Sequence, residues 1–231
     1  QMLIIPKPRL NPADLSEEPR FRCVLDLRYI NQQTIPLVYP TTDLETALQS
    51  CKGAHYFIAF DLLKGFWQCP VAEDSQEYFS FSTHDNVYSY LRVPQGHCDS
   101  AIWFNQQLQD VFRDVIASGR LIVYIDDILA FAPTFPEYLE LLDLILARCV
   151  AYGLLINVNK CTLGASKIHF CGRDVDAFGY TYHPRTADVV DSMPPPQTAG
   201  QLDQFLTVLS WCRTSMYDFA HVSEPLHQLM E

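Results

Sequence analysis

The sequence holds no apolar run near the roughly 20 residues of a membrane-spanning helix, so no membrane partner is expected. Its start, Gln1-Met2-Leu3-Ile4-Ile5-Pro6, lacks the basic region and cleavage site of a secretory signal. It reads as the middle of a strand, as if cut from a longer chain. None of the eight cysteines stands in C-x-x-C spacing with another, and most lie in apolar runs. Cys161, His169, Cys171 and His183 are loosely grouped, but their spacing matches no zinc pattern. The cysteines therefore read as reduced, mostly buried thiols of an intracellular protein that is not secreted. Internal repeats and low-complexity tracts are also missing. Positive charge is scarce: 16 Lys and Arg against 27 Asp and Glu leave a net charge of -11. That excludes capture of nucleic acid by overall attraction alone.

What basic charge exists is concentrated. Lys7, Arg9, Arg20, Arg22 and Arg28 crowd the first stretch, whereas Arg213 is the sole Lys or Arg after Thr186. The N-terminal part can face phosphates; the C-terminal part cannot do so strongly. At 48% hydrophobic and 13% aromatic residues, the chain can build a sizeable core. Strands are expected at 21–27, 55–60, 78–83, 87–92 and 168–175. Thr41 or Thr42 is positioned to cap a short helix running to Gln49. Apolar spacing predicts helices over 100–117 and 136–152, the second stopped by Gly153. Pro194-Pro195-Pro196 forms a stiff boundary, followed by a helix capped by Thr198 that carries Leu202, Phe205, Leu206, Leu209 and Cys212. Strands and helices mix without regular alternation, which predicts an α+β fold with a largely antiparallel sheet.

Val123-Tyr124-Ile125-Asp126-Asp127-Ile128-Leu129 sets two carboxylates at the tip of a hairpin that is otherwise apolar. Like charges there repel, and a divalent cation is their natural partner. The plain alternative is a surface turn, which Asp favours. Asp61 ends another expected strand, so three carboxylates converge if the two strands are neighbours. Three such groups can hold two hard cations for phosphoryl or nucleotidyl transfer.

Four motifs in order resemble the reverse transcriptase domain of gypsy-like LTR retrotransposons and retroviruses. They are Phe21 to Asn31, Asp61 to Gln68, Val93-Pro94-Gln95-Gly96 with Phe104, and Tyr124-Ile125-Asp126-Asp127. Phe170-Cys171-Gly172 is similar to the family's primer-grip hairpin, and the helix after the prolines to the start of its thumb. The resemblance implies a right-hand polymerase fold. Residues 1–60 would be mostly fingers, 61–193 palm with a fingers segment at about 70–92, and 194–231 the thumb. It implies an RNA-directed DNA polymerase with two Mg²⁺ ions, Mn²⁺ being a possible substitute. Its partners would be an RNA or DNA template with primer, dNTPs, and an RNase H domain outside this chain. The setting would be a cytoplasmic retroelement particle.

Residue by residue, the resemblance gives Asp61, Asp126 and Asp127 to the metals. Arg22 would reach the incoming triphosphate, with Lys7 or Arg9 as a second contact. Phe66 would stack under the sugar and exclude a 2′-hydroxyl, although its residue type suits plain core packing equally well. Gln95 would contact nucleotide or template, and Gly96 would permit close backbone approach. Tyr124 and Ile125 would border the nucleotide, the stiff β-branched Ile125 tightening sugar selection beside the primer terminus. Lys160 would stand near the leaving pyrophosphate as a general acid or else be a surface lysine. Cys171 and Gly172 would meet the primer. Two departures stand out. His97 to Trp103 replaces the family's Asn-Ala-Pro step, and the thumb is acidic. These departures and the negative charge support a second expectation, a catalytically weak polymerase-fold protein serving nucleic-acid binding or assembly.

Overall fold

The computed structural model describes residues 2–6, 20–40, 42–210, 213 and 216–230, with only the backbone at 185–187. Lys7, Arg9, Thr41 and Cys212 lie outside the described residues. The chain opens with strand β1 (Met2–Pro6), which pairs antiparallel with β2 (Phe21–Leu25), and a short helix α1 (Arg28–Gln33) follows. Helix α2 (Leu44–Gln49) is capped by Asp43, whose carboxylate accepts from the Glu45 N–H. That differs from the expected threonine cap: Thr42 is drawn away, its hydroxyl donating to the Val123 carbonyl at 3.2 Å.

Strand β3 (Tyr56–Asp61) leads through a 3-10 turn (Gly65–Gln68) to a second one (Glu73–Phe79). The hairpin expected over 78–92 is shorter than its pattern, reduced to β4 (Ser80–Ser82) and β5 (Val87–Ser89). The single helix expected over 100–117 is two, α3 (Ser100–Val111) and α4 (Arg113–Ala117), broken where Phe112 leaves helical geometry. Phe112 is completely buried, and the break lets both segments direct apolar residues at one core.

Next come β6 (Leu121–Tyr124), β7 (Asp127–Ala132) and the long helix α5 (Phe135–Tyr152), which ends at Gly153. Strand β8 (Thr162–Ala165) completes an antiparallel sheet of order β6-β7-β3-β8. The strand expected over 168–175 is instead two, β9 (Lys167–Phe170) and β10 (Arg173–Asp176), folded back at Cys171-Gly172. With β11 (Gly179–Tyr182) they form a separate sheet of order β11-β10-β9. Helices α6 (Pro184–Ser192), α7 (Ala199–Ser210) and α8 (Phe219–Gln228) end the chain. Thr198 caps α7 as expected, its hydroxyl accepting from the Gln201 N–H at 3.3 Å.

The main sheet is covered on both faces, and its period-2 pattern shows how. Ile58, Phe60, Ile128, Ala130 and Ala132 point to the core under α3, α4 and α5. Phe57, Leu129 and Phe131 point the other way, to a second core with α2 and the β9–β10 hairpin. Asp61 and Asp127 fall on this second face by the same alternation. The fold therefore sets both carboxylates at the rim of the face against which the hairpin packs.

Candidate active site

Asp61 and Asp127 are register partners on neighbouring antiparallel strands, so β3 and β7 set the two residues side by side at the edge of one cleft. Asp126 sits in the two-residue turn between β6 and β7. The turn is tight because Ile125 adopts a left-handed conformation, with φ 60°. For a β-branched residue that is strained by about 1–2 kcal/mol. It is held in place by Asn105 of α3, whose side-chain amide oxygen Oδ1 accepts from the Ile125 N–H at 3.1 Å. Asn105 is only 5% exposed. Gly65 passes beside the same turn: a Cβ there would sit 3.5 Å from the Phe104 ring and 3.8 Å from Asp126 Cβ.

A second tight turn faces the first. Cys171 and Gly172 both have positive φ, 47° and 76°, as a two-residue hairpin of this hand requires. The Cys171 thiol donates to Asp127 Oδ2 at 3.7 Å. Burial, then the Asp127 charge, push the thiol up to about 12, so it remains a protonated donor. Asp127 itself titrates above the ordinary carboxylate range, through burial of its carboxyl and then the neighbouring charge of Asp126. Asp61 adds to that upward push, while Cys171 and Lys160 oppose it. The Lys160 ammonium stands 3.1 Å from Asp61 Oδ2. A cleft of about 380 Å³ joins Asp61, Asp127, Lys160, His169, Cys171 and Gly172.

Arg22, Gln95 and Gly96 meet at a separate cleft of about 380 Å³, with Ile5, Pro6, Val24 and Leu25. Gly96 has φ 100°, a conformation that a side chain would strain. Its loop is clamped by Asn31, which donates to the Gly96 carbonyl at 2.9 Å and accepts from the Cys98 N–H at 3.0 Å. Phe66 packs edge-on against Phe104, ring centroids 5.4 Å apart, at the margin of the core. Tyr124 is half-buried against the second core.

Asn105, Asn31, Glu45 and Ser100 were not singled out as site residues by the sequence reading. Asn105 left a detectable signal: it interrupts the apolar face that Leu108 and Phe112 continue at i+3 and i+7. Glu45 left none, because its partner Arg173 is 128 residues away.

Asp61, Asp127 and Lys160 line one cleft, whereas Asp126 stands in the adjoining turn outside that lining. Among the described residues the three carboxylates do not gather within 4.8 Å of one another, although acidic oxygens are the donors a hard divalent cation takes. The family model described as "Reverse transcriptase (RNA-dependent DNA polymerase)" matches residues 5–175, and the chain belongs to that family. Members of the family are generally dependent on a divalent metal. A Pol polyprotein from the Drosophila melanogaster transposon opus is 33% identical over 92% of this chain. That from transposon gypsy of the same organism is 26% identical over 95%. The match spans 21% of each polyprotein, about a fifth of its length. Among solved structures, a foamy viral protease-reverse transcriptase with double-stranded DNA gives a TM-score of 0.81 at 24% identity. It covers 98% of this chain and 38% of that one. The same kind of protein with an RNA/DNA hybrid gives 0.77 at 23% identity, covering 98% and 29%. These likenesses establish a mixed helix-and-sheet polymerase fold.

Proposed function

We propose that this chain is the polymerase portion of an RNA-directed DNA polymerase that extends a primer with dNTPs. The observation that carries it is the register pairing of Asp61 with Asp127 beside the Ile125-Asp126 turn. Asp61, Asp126 and Asp127 would hold two Mg²⁺ ions, or Mn²⁺, which when bound would acidify the primer hydroxyl and offset triphosphate charge. The primer 3′-hydroxyl gives up its proton to solvent, and its oxygen bonds Pα as the bond from Pα to pyrophosphate breaks. Arg22 grips the triphosphate through its planar guanidinium, and Gln95 and Gly96 border the nucleotide from the same cleft. Lys7 or Arg9 supplies a further phosphate contact. Phe66 and Ile125 limit room at the sugar, Tyr124 backs the turn, and Cys171-Gly172 touches the primer.

Lys160 neutralises Asp61 in the resting site. As pyrophosphate leaves, the ammonium donates a proton to it. The fingers comprise mostly residues 1–60 with about 70–92 interleaved. The rest of 61–193 is palm, and 194–231 begins the thumb. An RNA or DNA template with primer, an RNase H domain elsewhere in the polyprotein, and a cytoplasmic retroelement particle complete the reading.

Primer extension on an RNA template with Mg²⁺ tests it. Asp126→Asn abolishes extension while template binding persists and weakens with salt. Binding without extension by the unaltered chain would favour the catalytically weak alternative.

A further inference from the structure

We infer that His169, Asp174 and His183 form a binding site for a divalent transition metal of the Zn²⁺ class, distinct from the three aspartates. The sheet β9-β10-β11 creates it. His169 and Asp174 are cross-strand register partners. Thr181 is the partner of Asp174 on the other side, and His183 follows it by two residues, so all share one face. The His183 N–H donates to the Gly172 carbonyl at 3.2 Å, which carries the ladder one step further and fixes its backbone.

The side chains converge. His169 Nδ1 lies 3.2 Å from Asp174 Oδ1, and the two imidazole rings meet edge-on at 4.7 Å between centroids. One ligand atom from each of the three residues lies within 4.8 Å of the others. Tetrahedral zinc with bonds near 2.1 Å needs ligand atoms about 3.4 Å apart. The His169–Asp174 separation already meets that, and rotation of the imidazoles closes the rest.

Donor chemistry selects the ion. Two imidazoles and one carboxylate favour Zn²⁺, Co²⁺ or Ni²⁺, whereas Mg²⁺ prefers oxygen. The carboxylate is also oriented from behind, because Lys167 Nζ sits 3.2 Å from Asp174 Oδ2 and leaves Oδ1 toward the histidines. Such outer contacts are what metal-binding carboxylates require. Three protein ligands leave a fourth position for water. The order of residues conceals the site, since the ligands come from β9, β10 and the residue just after β11, with no motif spacing.

Titration of the whole chain with ZnCl₂ in excess Mg²⁺, which keeps the aspartates occupied, followed by calorimetry, tests the inference. One equivalent binds, and Co²⁺ in its place gives a visible tetrahedral d–d spectrum. His169→Ala, Asp174→Asn and His183→Ala each weaken binding by at least about tenfold, since loss of even an outer-shell partner costs 10–100-fold. An Asp61→Asn, Asp126→Asn double variant retains it. Long-range ¹H–¹⁵N spectra of the unaltered chain provide a readout without mutation: of seven histidines, His169 and His183 shift on Zn²⁺ addition. Absence of stoichiometric binding, loss in the aspartate variant, or shifts confined to other histidines would overturn the site. None of these results depends on polymerase activity.

Discussion

Glu45→Ala is expected to destabilise the chain far more than its place on a short helix suggests. The Glu45 carboxylate accepts from Arg173 Nη2 at 2.9 Å and from the Tyr182 hydroxyl at 2.9 Å. Arg173 is 5% exposed and lies against the rings of Tyr182 and Tyr180 at 5.0 and 5.9 Å. Burial disfavours the guanidinium charge, but the contacts with Glu45 and Tyr182 outweigh it and raise its pKa. Removing one partner of a buried pair leaves an uncompensated charge, which costs about 3–5 kcal/mol. Glu45 retains some solvent contact, so about 3 kcal/mol is the appropriate figure. With a urea slope of about 3 kcal/mol/M, the unfolding midpoint falls by about 1 M. The exposed Arg113–Asp110 pair supplies the control. It is a close ion pair as well, yet Asp110→Ala should leave the midpoint nearly unchanged. The Glu45 change also reaches the site, because Arg173 Nη1 donates to the Cys171 carbonyl at 3.2 Å. Equal midpoints for the Glu45 and Asp110 variants would refute the reasoning.

Asn105→Ala removes the acceptor that holds the Ile125 turn. It should lower stability by about 1–2 kcal/mol and reduce the maximal rate of primer extension more than dNTP affinity, as steady-state kinetics would show. Gly65→Ala should leave extension intact, since a Cβ finds ordinary contacts at 3.5 and 3.8 Å, while Gly65→Val should abolish it by displacing Asp126. Asp114 donates nothing but accepts from Arg148 at 2.7 Å, and that hydrogen bond lowers its pKa from 3.8. A carboxylate with a depressed folded pKa stabilises above its unfolded pKa and loses that contribution as pH falls through the folded one. The gap in urea midpoint between Asp114→Asn and the unaltered chain should therefore be complete at pH 6 and shrink below about pH 4.

The strands that carry the aspartates were legible because burial on both faces writes itself as an unbroken apolar run, and Asp ends it at the rim. The ends of α5 were legible for the same local reason, with Gly153 as stop. The break at Phe112 was not, since both halves continue one apolar period and only three-dimensional packing separates them. Nor was the fold-back at Cys171-Gly172 evident to pattern alone. Residues 168 to 175 alternate Ile, His, Phe, Cys, Gly, Arg, Asp, Val, and a left-handed Cys171 leaves no compositional trace. Lys160 stayed open in the sequence between a general acid and a surface residue. What the structure adds is its contact with Asp61, 99 positions away, which local pattern does not carry.

The buried polar residues show how the site keeps its shape. Among the described residues, the buried polar or charged side chains are Ser100, Asn105, Arg173 and Ser223. Three of these four bond to a loop that carries site residues. Ser100 Oγ donates to the Pro94 carbonyl at 3.0 Å, at the start of the Gln95-Gly96 loop. Asn105 accepts from Ile125 at 3.1 Å, and Arg173 donates to Cys171 at 3.2 Å. Each of these loops contains a residue with positive φ: Gly96, Ile125 and Cys171. A left-handed non-glycine residue persists only where its surroundings over-determine it. A buried polar group is costly unless bonded, so it fixes one geometry more sharply than an apolar contact of equal area. Ladder hydrogen bonds cannot do this work at a strand end, where pairing stops. The carboxylates stand at such ends, and the side chains that restrain their turns and the facing hairpin come from outside the main sheet, from α3 and β10.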